Sequence, residues 1–555
     1  MTKKSRIILG LFGIAAVLYI VALAAIPQTE TSEARYALIA SSMAESNDFV
    51  TPMLKEAPYL EKPPLVYWAS AIIFKVFGEN DLTARLFVAF CTIGCVLLVF
   101  GMARHFYGTK VGVYSAAILA FSLFHFIIGR INVLDMPLAF FVSLAIWCGY
   151  LAFENGQANK KWLYALYFFS ALAFLTKGLI GIIFPGAVIF FWLLLTKRWR
   201  ELYKLFSPVG VVIFLIVVLP WIILVQQAQS DFLYFFFIYE HFVRFATKVH
   251  QRYQPFYFFI PVLLVGCIPW LGYLWQVLEK QSKGAILEAV GKERAIFLSV
   301  WAGLIFLFFS ASSSKLVPYI APVFLPLAVV GGRIFSLYER VDEKKSNWRR
   351  YLPQALQSLL LIAGIAVVVM RENDGFGGGF FLLLSLPLFC AVLLAFLPNY
   401  LLSRYGKESW FLSLSALGFL LFFSLLFPAH FILAPYKTAK PVIEAMTRFI
   451  PQGETLYQFR TNIYGIDFYS KTRTPLIDVG GEIEPGVKKL PLAEREKYFP
   501  SQDEFMKLYN QGGQFFVLFE NDDKYDYFLK LFPEGRLIWK NKKYYLFQLE
   551  KTGVS

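Results

Sequence analysis

Charge is scarce in this chain. Only 16% of its 555 residues are Asp, Glu, Lys or Arg, while 57% are hydrophobic. Soluble domains carry about 25% charged and 45–50% apolar residues. The deficit excludes a soluble globular enzyme, a disordered chain and a collagen-like fibre, and points to a multi-span membrane protein. Cysteine is scarce too. Cys91, Cys95, Cys148, Cys267 and Cys390 all lie in apolar runs without metal-ligand company, so no disulfide is expected. Internal repeats and low-complexity tracts are absent. Charge is also missing from the middles of the apolar runs. Transporters place ionisable groups and broken helices there, so a lipid-linked sugar flippase or transporter is the weaker class.

What is present is a series of thirteen apolar runs: 7–26, 84–103, 111–129, 133–152, 161–176, 178–196, 207–226, 257–277, 295–311, 316–336, 353–370, 379–398 and 409–433. Each approaches the roughly 20 residues that a membrane span needs. The first is too long for a signal-peptide core of about 7–15 residues and reads as an uncleaved anchor. With the amino terminus inside, the connections on that side hold 23 Lys and Arg against 11 on the other. The positive-inside rule then sets a cytoplasmic amino terminus and, after thirteen spans, an external carboxyl terminus. The net charge of +15 follows from these scattered basic loops and carries no nucleic-acid signal.

The fold class expected is an α-helical polytopic membrane protein of about 13 transmembrane helices with a C-terminal α/β domain. Residues 1–433 form the transmembrane domain, with long outer loops at 27–83 and 227–256. Residues 434–555 alternate strand-like runs (455–459, 514–519, 544–549) with helix-like runs (442–449, 502–509, 524–531).

The unusual polar residues collect at the outer ends of spans and in the two long loops. Ser32 caps a helix in which Tyr36, Ile39, Ala40, Met43 and Ala44 share one face, suited to lying on the membrane surface. Glu33 then falls in its first turn, where dipole complementation is the plain alternative to a functional role. Tyr59, Glu61 and Lys62 precede Pro64, which starts a second helix. Asp135 opens the fourth span, and Lys177 sits at the corner between the fifth and sixth. Tyr239 to Phe245 precede the eighth span, and Lys315 to Tyr319 open the tenth. Capping, snorkelling or solvation accounts for each cluster singly. Jointly, six clusters far apart in sequence map to one membrane face. Lys62, Arg244 and Lys315, with Tyr59 and Tyr319, suit a phosphate at headgroup depth. Glu33, Glu61 and Asp135 suit acid/base work or metal ligation.

In order along the chain, Ser-Glu-Ala-Arg-Tyr, Glu-Lys-Pro-Pro-Leu-Val-Tyr-Trp, Asp-Met-Pro-Leu, Thr-Lys-Gly, Glu-His-Phe-Val-Arg-Phe and Lys-Leu-Val-Pro-Tyr resemble the polyprenyl-phosphate-dependent membrane glycosyltransferases of the GT-C class. The nearest likeness is to the lipid A 4-amino-4-deoxy-L-arabinose transferases, which are related to the protein mannosyltransferases. The resemblance covers about residues 1–335 well and the tail in outline. It implies a GT-C fold with a periplasmic α/β tail in the bacterial inner membrane. It also implies an undecaprenyl-phosphate-linked sugar donor, and a lipid A phosphate as acceptor. The partners expected are that donor, that acceptor and membrane lipids, with no nucleic acid, and the protein is expected to act as a monomer.

By this resemblance, Tyr59, Lys62, Arg244 and Tyr319 hold the carrier phosphate. Arg35, Lys177 and Lys315 support them. Glu61 and His241 lie near a divalent metal ion, the one cofactor in question. Asp135 is the second acidic position. The chain departs from the family pattern at one place, Ser32, where these enzymes carry their favoured catalytic Asp. Glu33 is then the first candidate base and Asp135 the second. A phosphate monoester acceptor, with a second pKa near 6, needs no base. A protein or polysaccharide hydroxyl does need one, and both acceptor classes stay open at this point.

Overall fold

The computed structural model describes residues 3–243, 253–278, 283–337, 352–371, 378–520 and 522–551. The chain divides into two compact units. One takes Met1–Ala22, Leu86–Gln227 and Leu233–Pro428, and the other takes Leu23–Arg85, Ala228–Phe232 and Ala429–Ser555. The first long loop thus folds with the tail, although they are distant in sequence.

The first unit is helical. Every apolar run falls on helix, among them Asp135–Phe153, Lys160–Lys177, Pro208–Ala228 and Lys292–Ala311. Among the described residues, seven helices are long and apolar enough to cross a membrane, and most of the remaining runs form shorter apolar helices such as Ile180–Leu195. Two runs that read as single helices are broken. Residues 111–129 divide into Thr109–Ala120 and Leu123–Ile128. Residues 257–277 divide into Phe259–Gly266 and Leu271–Leu278, with Pro269 at the interruption. The run 316–336 starts as a 3-10 turn over Val317–Val323, which holds Pro318 and Pro322, before Phe324–Leu337 continues as α-helix.

The outward faces stay apolar. Pro208–Ala228 exposes Val212, Ile216, Leu219 and Ile223, as a lipid-facing helix does. Inside, Trp192, Phe297 and Trp301 are buried, and the Tyr150 ring lies 4.9 Å from that of Trp192. Close backbone approach is set by small residues. A Cβ at Gly332 would collide with Ser115, and one at Gly181 with the backbone of Ala173.

The second unit is α/β. Its first part holds the helix Ser32–Ser46, a ribbon of β1 (Met53–Leu54) and β2 (Ala57–Pro58), and the helix Leu65–Phe77. Thr31, not Ser32, occupies the N-cap, and no side chain caps the helix, so the expected start is one residue late. The face expected on the membrane surface is instead packed inside protein. Ile39, Ala40 and Met43 are buried, and helices Leu65–Phe77 and Tyr464–Ser470 pack on this helix. Pro64 does precede its helix, as the N-cap.

The tail forms a five-stranded sheet in the order β4-β3-β5-β7-β6. The strands are β3 (Leu456–Phe459), β4 (Leu476–Ile477), β5 (Gly513–Glu520), β6 (Arg536–Lys540) and β7 (Tyr544–Lys551). β3 runs parallel to β4 and β5, and β7 antiparallel to β5 and β6. Alternation along β5 builds two cores. Phe515, Val517 and Phe519 join Phe459, Phe505 and Phe528 on one face. Phe516 and Leu518 join Ile463, Ile466 and Leu546 on the other. Both faces are covered, so β5 reads as a continuous apolar run. The helix Gln502–Asn510 starts with a capping box in which Ser501 and Glu504 bond each other's backbone N–H.

Candidate functional site

Four of the expected site residues, Arg35, Tyr59, Glu61 and Lys62, stand together in the second unit, around the helix Ser32–Ser46 and the segment after β2. Tyr59 is buried, and its hydroxyl faces Glu61 Oε2 at 3.2 Å and Glu482 Oε2 at 3.4 Å. One hydroxyl proton serves two carboxylates. Burial pushes the Tyr59 phenol well above its usual range, while Arg35 pulls it back and Glu61 pushes it further. The residue therefore remains a donor. Lys62 Nζ donates to the Glu61 carbonyl at 3.0 Å and stands 3.8 Å from Glu61 Oε2.

Arg35 closes this group. It forms an ion pair with Glu482, and its guanidinium lies 5.2 Å from the Tyr36 ring centre and 5.5 Å from that of Tyr59. Tyr36 and Tyr67 pack at 5.7 Å. Glu482 comes from the tail. The helical turn that follows it, Glu484–Val487, is seated on β2, where a Cβ at Gly486 would meet the Pro58 carbonyl. Lys55, in the turn between β1 and β2, ties the same ribbon down with bonds to Asp467 Oδ2 and the Thr474 carbonyl, both 2.8 Å. The ribbon and the tail are thus one built piece.

Glu33 sits elsewhere on that helix. Arg85 Nε donates to Glu33 Oε1 and Arg85 Nη2 to Glu33 Oε2, both at 2.9 Å. The Thr29 amide and hydroxyl add bonds of 3.0 and 2.7 Å to Oε2. The remaining Arg85 N–H groups reach the carbonyls of Leu23, Ile26 and Pro27. Glu33 is thereby the fixed point of the chain's entry into the helix. Next to it, partly buried Glu30 accepts the Gly465 and Tyr464 amides at 2.7 and 3.2 Å. Burial raises its carboxyl to about 8, against the lowering effect of those bonds.

In the first unit, Asp135 is the first residue of its helix and Lys177 the last of Lys160–Lys177. They pair at 2.6 Å, and Lys177 Nζ lies 4.7 Å from the Tyr319 ring centre. Lys177 is therefore a paired lysine. Lys315 is buried and donates to the carbonyls of Gln254, at 3.0 Å, and Ser312. It pins the return of the second long loop, where Tyr253 bridges Ser314. Arg244 and the His241 side chain lie outside the described residues. Among the described residues no three His, Cys, Asp or Glu side chains converge as metal ligands.

Neither Arg85 nor Glu482, the partners of Glu33 and Arg35, is among the site residues expected from the sequence. Arg85 had a signal: a cation inside the first turns of an apolar run requires a partner. Glu482 had none, because no local pattern ties it to residues 447 positions earlier.

The profile of the family described as dolichyl-phosphate-mannose-protein mannosyltransferase matches residues 61–224. An undecaprenyl phosphate-alpha-4-amino-4-deoxy-L-arabinose arabinosyl transferase of Proteus mirabilis is 33% identical over 325 residues, 57% of each chain. One from Pseudomonas fluorescens is 33% identical over 346 residues, 61% of each. The chain thus spans about three-fifths of the length of the curated relatives it matches. The crystal structure of ArnT from Cupriavidus metallidurans bound to undecaprenyl phosphate aligns over 99% of this chain and 98% of its own, with a TM-score of 0.81 at 23% identity. The chain has the fold of ArnT. The helical, multi-span architecture with a C-terminal sheet domain, expected from the sequence, is the architecture found.

Proposed function

We propose that this chain is a glycosyltransferase of the bacterial inner membrane. It moves a sugar from an undecaprenyl-phosphate carrier to a lipid A phosphate at the periplasmic face, with the amino terminus cytoplasmic and the sheet domain periplasmic. The observation that carries the reading is the group Arg35, Tyr59 and Lys62 on a chain with the ArnT fold. Two cations and a phenol held protonated suit a phosphate ester that displaces Glu61 and Glu482 from them or is bridged to those carboxylates by a divalent ion. The names of the relatives supply the donor and sugar class that this group would serve.

In the reaction, an acceptor oxygen attacks the anomeric carbon from the face opposite the carrier. The bond from that carbon to the phosphate oxygen breaks, the configuration inverts, and undecaprenyl phosphate leaves. Lys62 and the Tyr59 hydroxyl would take up the charge that develops on the leaving phosphate. The ion pairs bear on the acceptor. Glu33 is held by both arms of Arg85 and Asp135 by Lys177. To take a proton, either carboxylate must give up those bonds. A lipid A phosphate, already largely ionised at neutral pH, asks nothing of them. A hydroxyl of a protein or polysaccharide would need a base freed from its ion pair. Glu61 and Glu482 would offer two oxygens to a divalent ion. Dependence of the rate on added Mg²⁺ or Mn²⁺ after chelation tests that role.

The experiment is mass spectrometry of lipid A from cells with and without the gene. Loss of a sugar-sized increment in the deletion supports the reading, and its size names the sugar. Identical lipid A from both strains, with the protein present in the membrane, contradicts it.

A further inference from the structure

The sheet of the second unit carries a polar cavity of about 510 Å³, within the roughly 300–1,000 Å³ of small-molecule sites. It opens at the carboxyl ends of the three parallel strands. Arg460, Thr461 and Asn462 follow β3, Asp478 follows β4, and Glu520 ends β5 with Lys524 just beyond. The chain leaves β3 toward β4 on one side and returns to β5 on the other. In open α/β sheets that switch point is where ligands bind.

The rim is pre-shaped. Arg460 and Asp478, the first residues past their strands, both have positive φ, 49° and 54°. Non-glycine residues adopt that conformation at a cost and keep it where surrounding structure enforces it. They pair at 2.6 Å, and the Arg460 guanidinium stacks on Tyr527 at 4.6 Å. Thr461 donates to Glu520 at 3.3 Å, and Lys524 reaches the Arg460 carbonyl. The Asn462 amide donates to the Gly480 carbonyl at 3.1 Å. Two residues past Gly480 stands Glu482, the partner of Arg35 and Tyr59.

The lining chemistry selects the ligand. Two carboxylates beside two cations disfavour a bare polyanion. Carboxylates, an amide and hydroxyls, each able to exchange bonds with sugar hydroxyls, favour a saccharide. We propose that this cavity binds the saccharide part of the acceptor, a step that rests on the transferase reading above. Its occupancy would bear on the site through the 480–482 loop.

Saturation-transfer NMR tests this on the full-length protein in detergent. The probes are a soluble phosphorylated glucosamine disaccharide, the same disaccharide without phosphate, and inorganic phosphate. The expected result is that both disaccharides bind and phosphate alone does not displace them. Asp478→Asn, which keeps a side chain tolerant of positive φ, and Asn462→Ala then each weaken disaccharide binding at least about tenfold, while undecaprenyl phosphate binds both variants as it binds the unaltered protein. Absence of disaccharide binding to the unaltered protein overturns the proposal. So does unchanged affinity in both variants, or full displacement by phosphate. Because binding is read without turnover, failure of the transferase reading shows separately, as absence of sugar transfer to lipid A.

Discussion

Two ion pairs on one helix face different tasks. Glu33 and Arg35 are two residues apart on Ser32–Ser46 and so point to different sides. Glu33 meets Arg85, 52 positions away, in a bidentate pair reinforced by Thr29 and three carbonyls. Arg35 meets Glu482, 447 positions away, among tyrosines and a second carboxylate. The first pair satisfies nearly every lone pair and N–H it presents, which is what a buried pair needs to hold structure. The second leaves one phenol proton between two carboxylates, and a phosphate reaching Arg35, Lys62 and the phenol would displace Glu61 or Glu482 from them. The residue singled out in the sequence as a base is thus held in a fully bonded ion pair, and Arg35 stands in the group proposed for the carrier phosphate.

The largest effect is expected at Glu33. Glu33→Ala strands the Arg85 guanidinium and should cost about 3–5 kcal/mol, seen as lower thermal stability and less protein in membranes. Glu33→Gln should keep most transfer activity wherever the protein accumulates. A folded Glu33→Gln protein without activity would return Glu33 to the role of base. On the other side of the helix, Lys62→Ala should lower transfer by about 100-fold with unchanged thermal stability. Normal transfer by that variant would remove the phosphate role. Glu482→Gln keeps its shape but drops its charge, and should lower transfer by about tenfold, a change of about 1.4 kcal/mol. A rise in donor KM would locate the effect on carrier binding, whereas unchanged kinetics would reduce the Arg35 pair to a strut.

The smallest effect is one of pH. Folding holds the Glu30 carboxyl near 8, above the usual 4.5. The folded state therefore keeps a proton that the unfolded chain has lost between those values, and stability falls as pH rises through that window. The slope should be about 1 kcal/mol per pH unit. Thermal unfolding of Glu30→Gln at pH 6, 7 and 8 should show a flatter dependence than the unaltered protein. Equal slopes would mean that the Gly465 and Tyr464 amides already hold the carboxylate ionised.

Much of this architecture could be read ahead of the structure. Hydropathy alone located the helices of the first unit, because a span announces itself by length. The strands β3, β5 and β7 were legible through their apolar runs. β4 escaped because two residues carry no period, and β6 because Arg536 and Lys540 charge its ends, as edge strands often are. The amphipathic face of Ser32–Ser46 was recognised, but its cover was not. Periodicity says that a face is apolar and not whether lipid or protein lies against it. The Tyr59, Glu61 and Lys62 group was visible as a motif. Its completion by Glu482 was not, since contacts of such sequence separation leave no local trace.

The proposed reaction is sugar transfer from a polyprenyl-phosphate carrier to a phosphate. Its most direct test uses the purified full-length protein with undecaprenyl-phosphate-linked 4-amino-4-deoxy-L-arabinose and lipid A, read by mass spectrometry. The account predicts lipid A heavier by one sugar on a phosphate, with undecaprenyl phosphate released in equal amount. Lipid A of unchanged mass beside intact donor would contradict it.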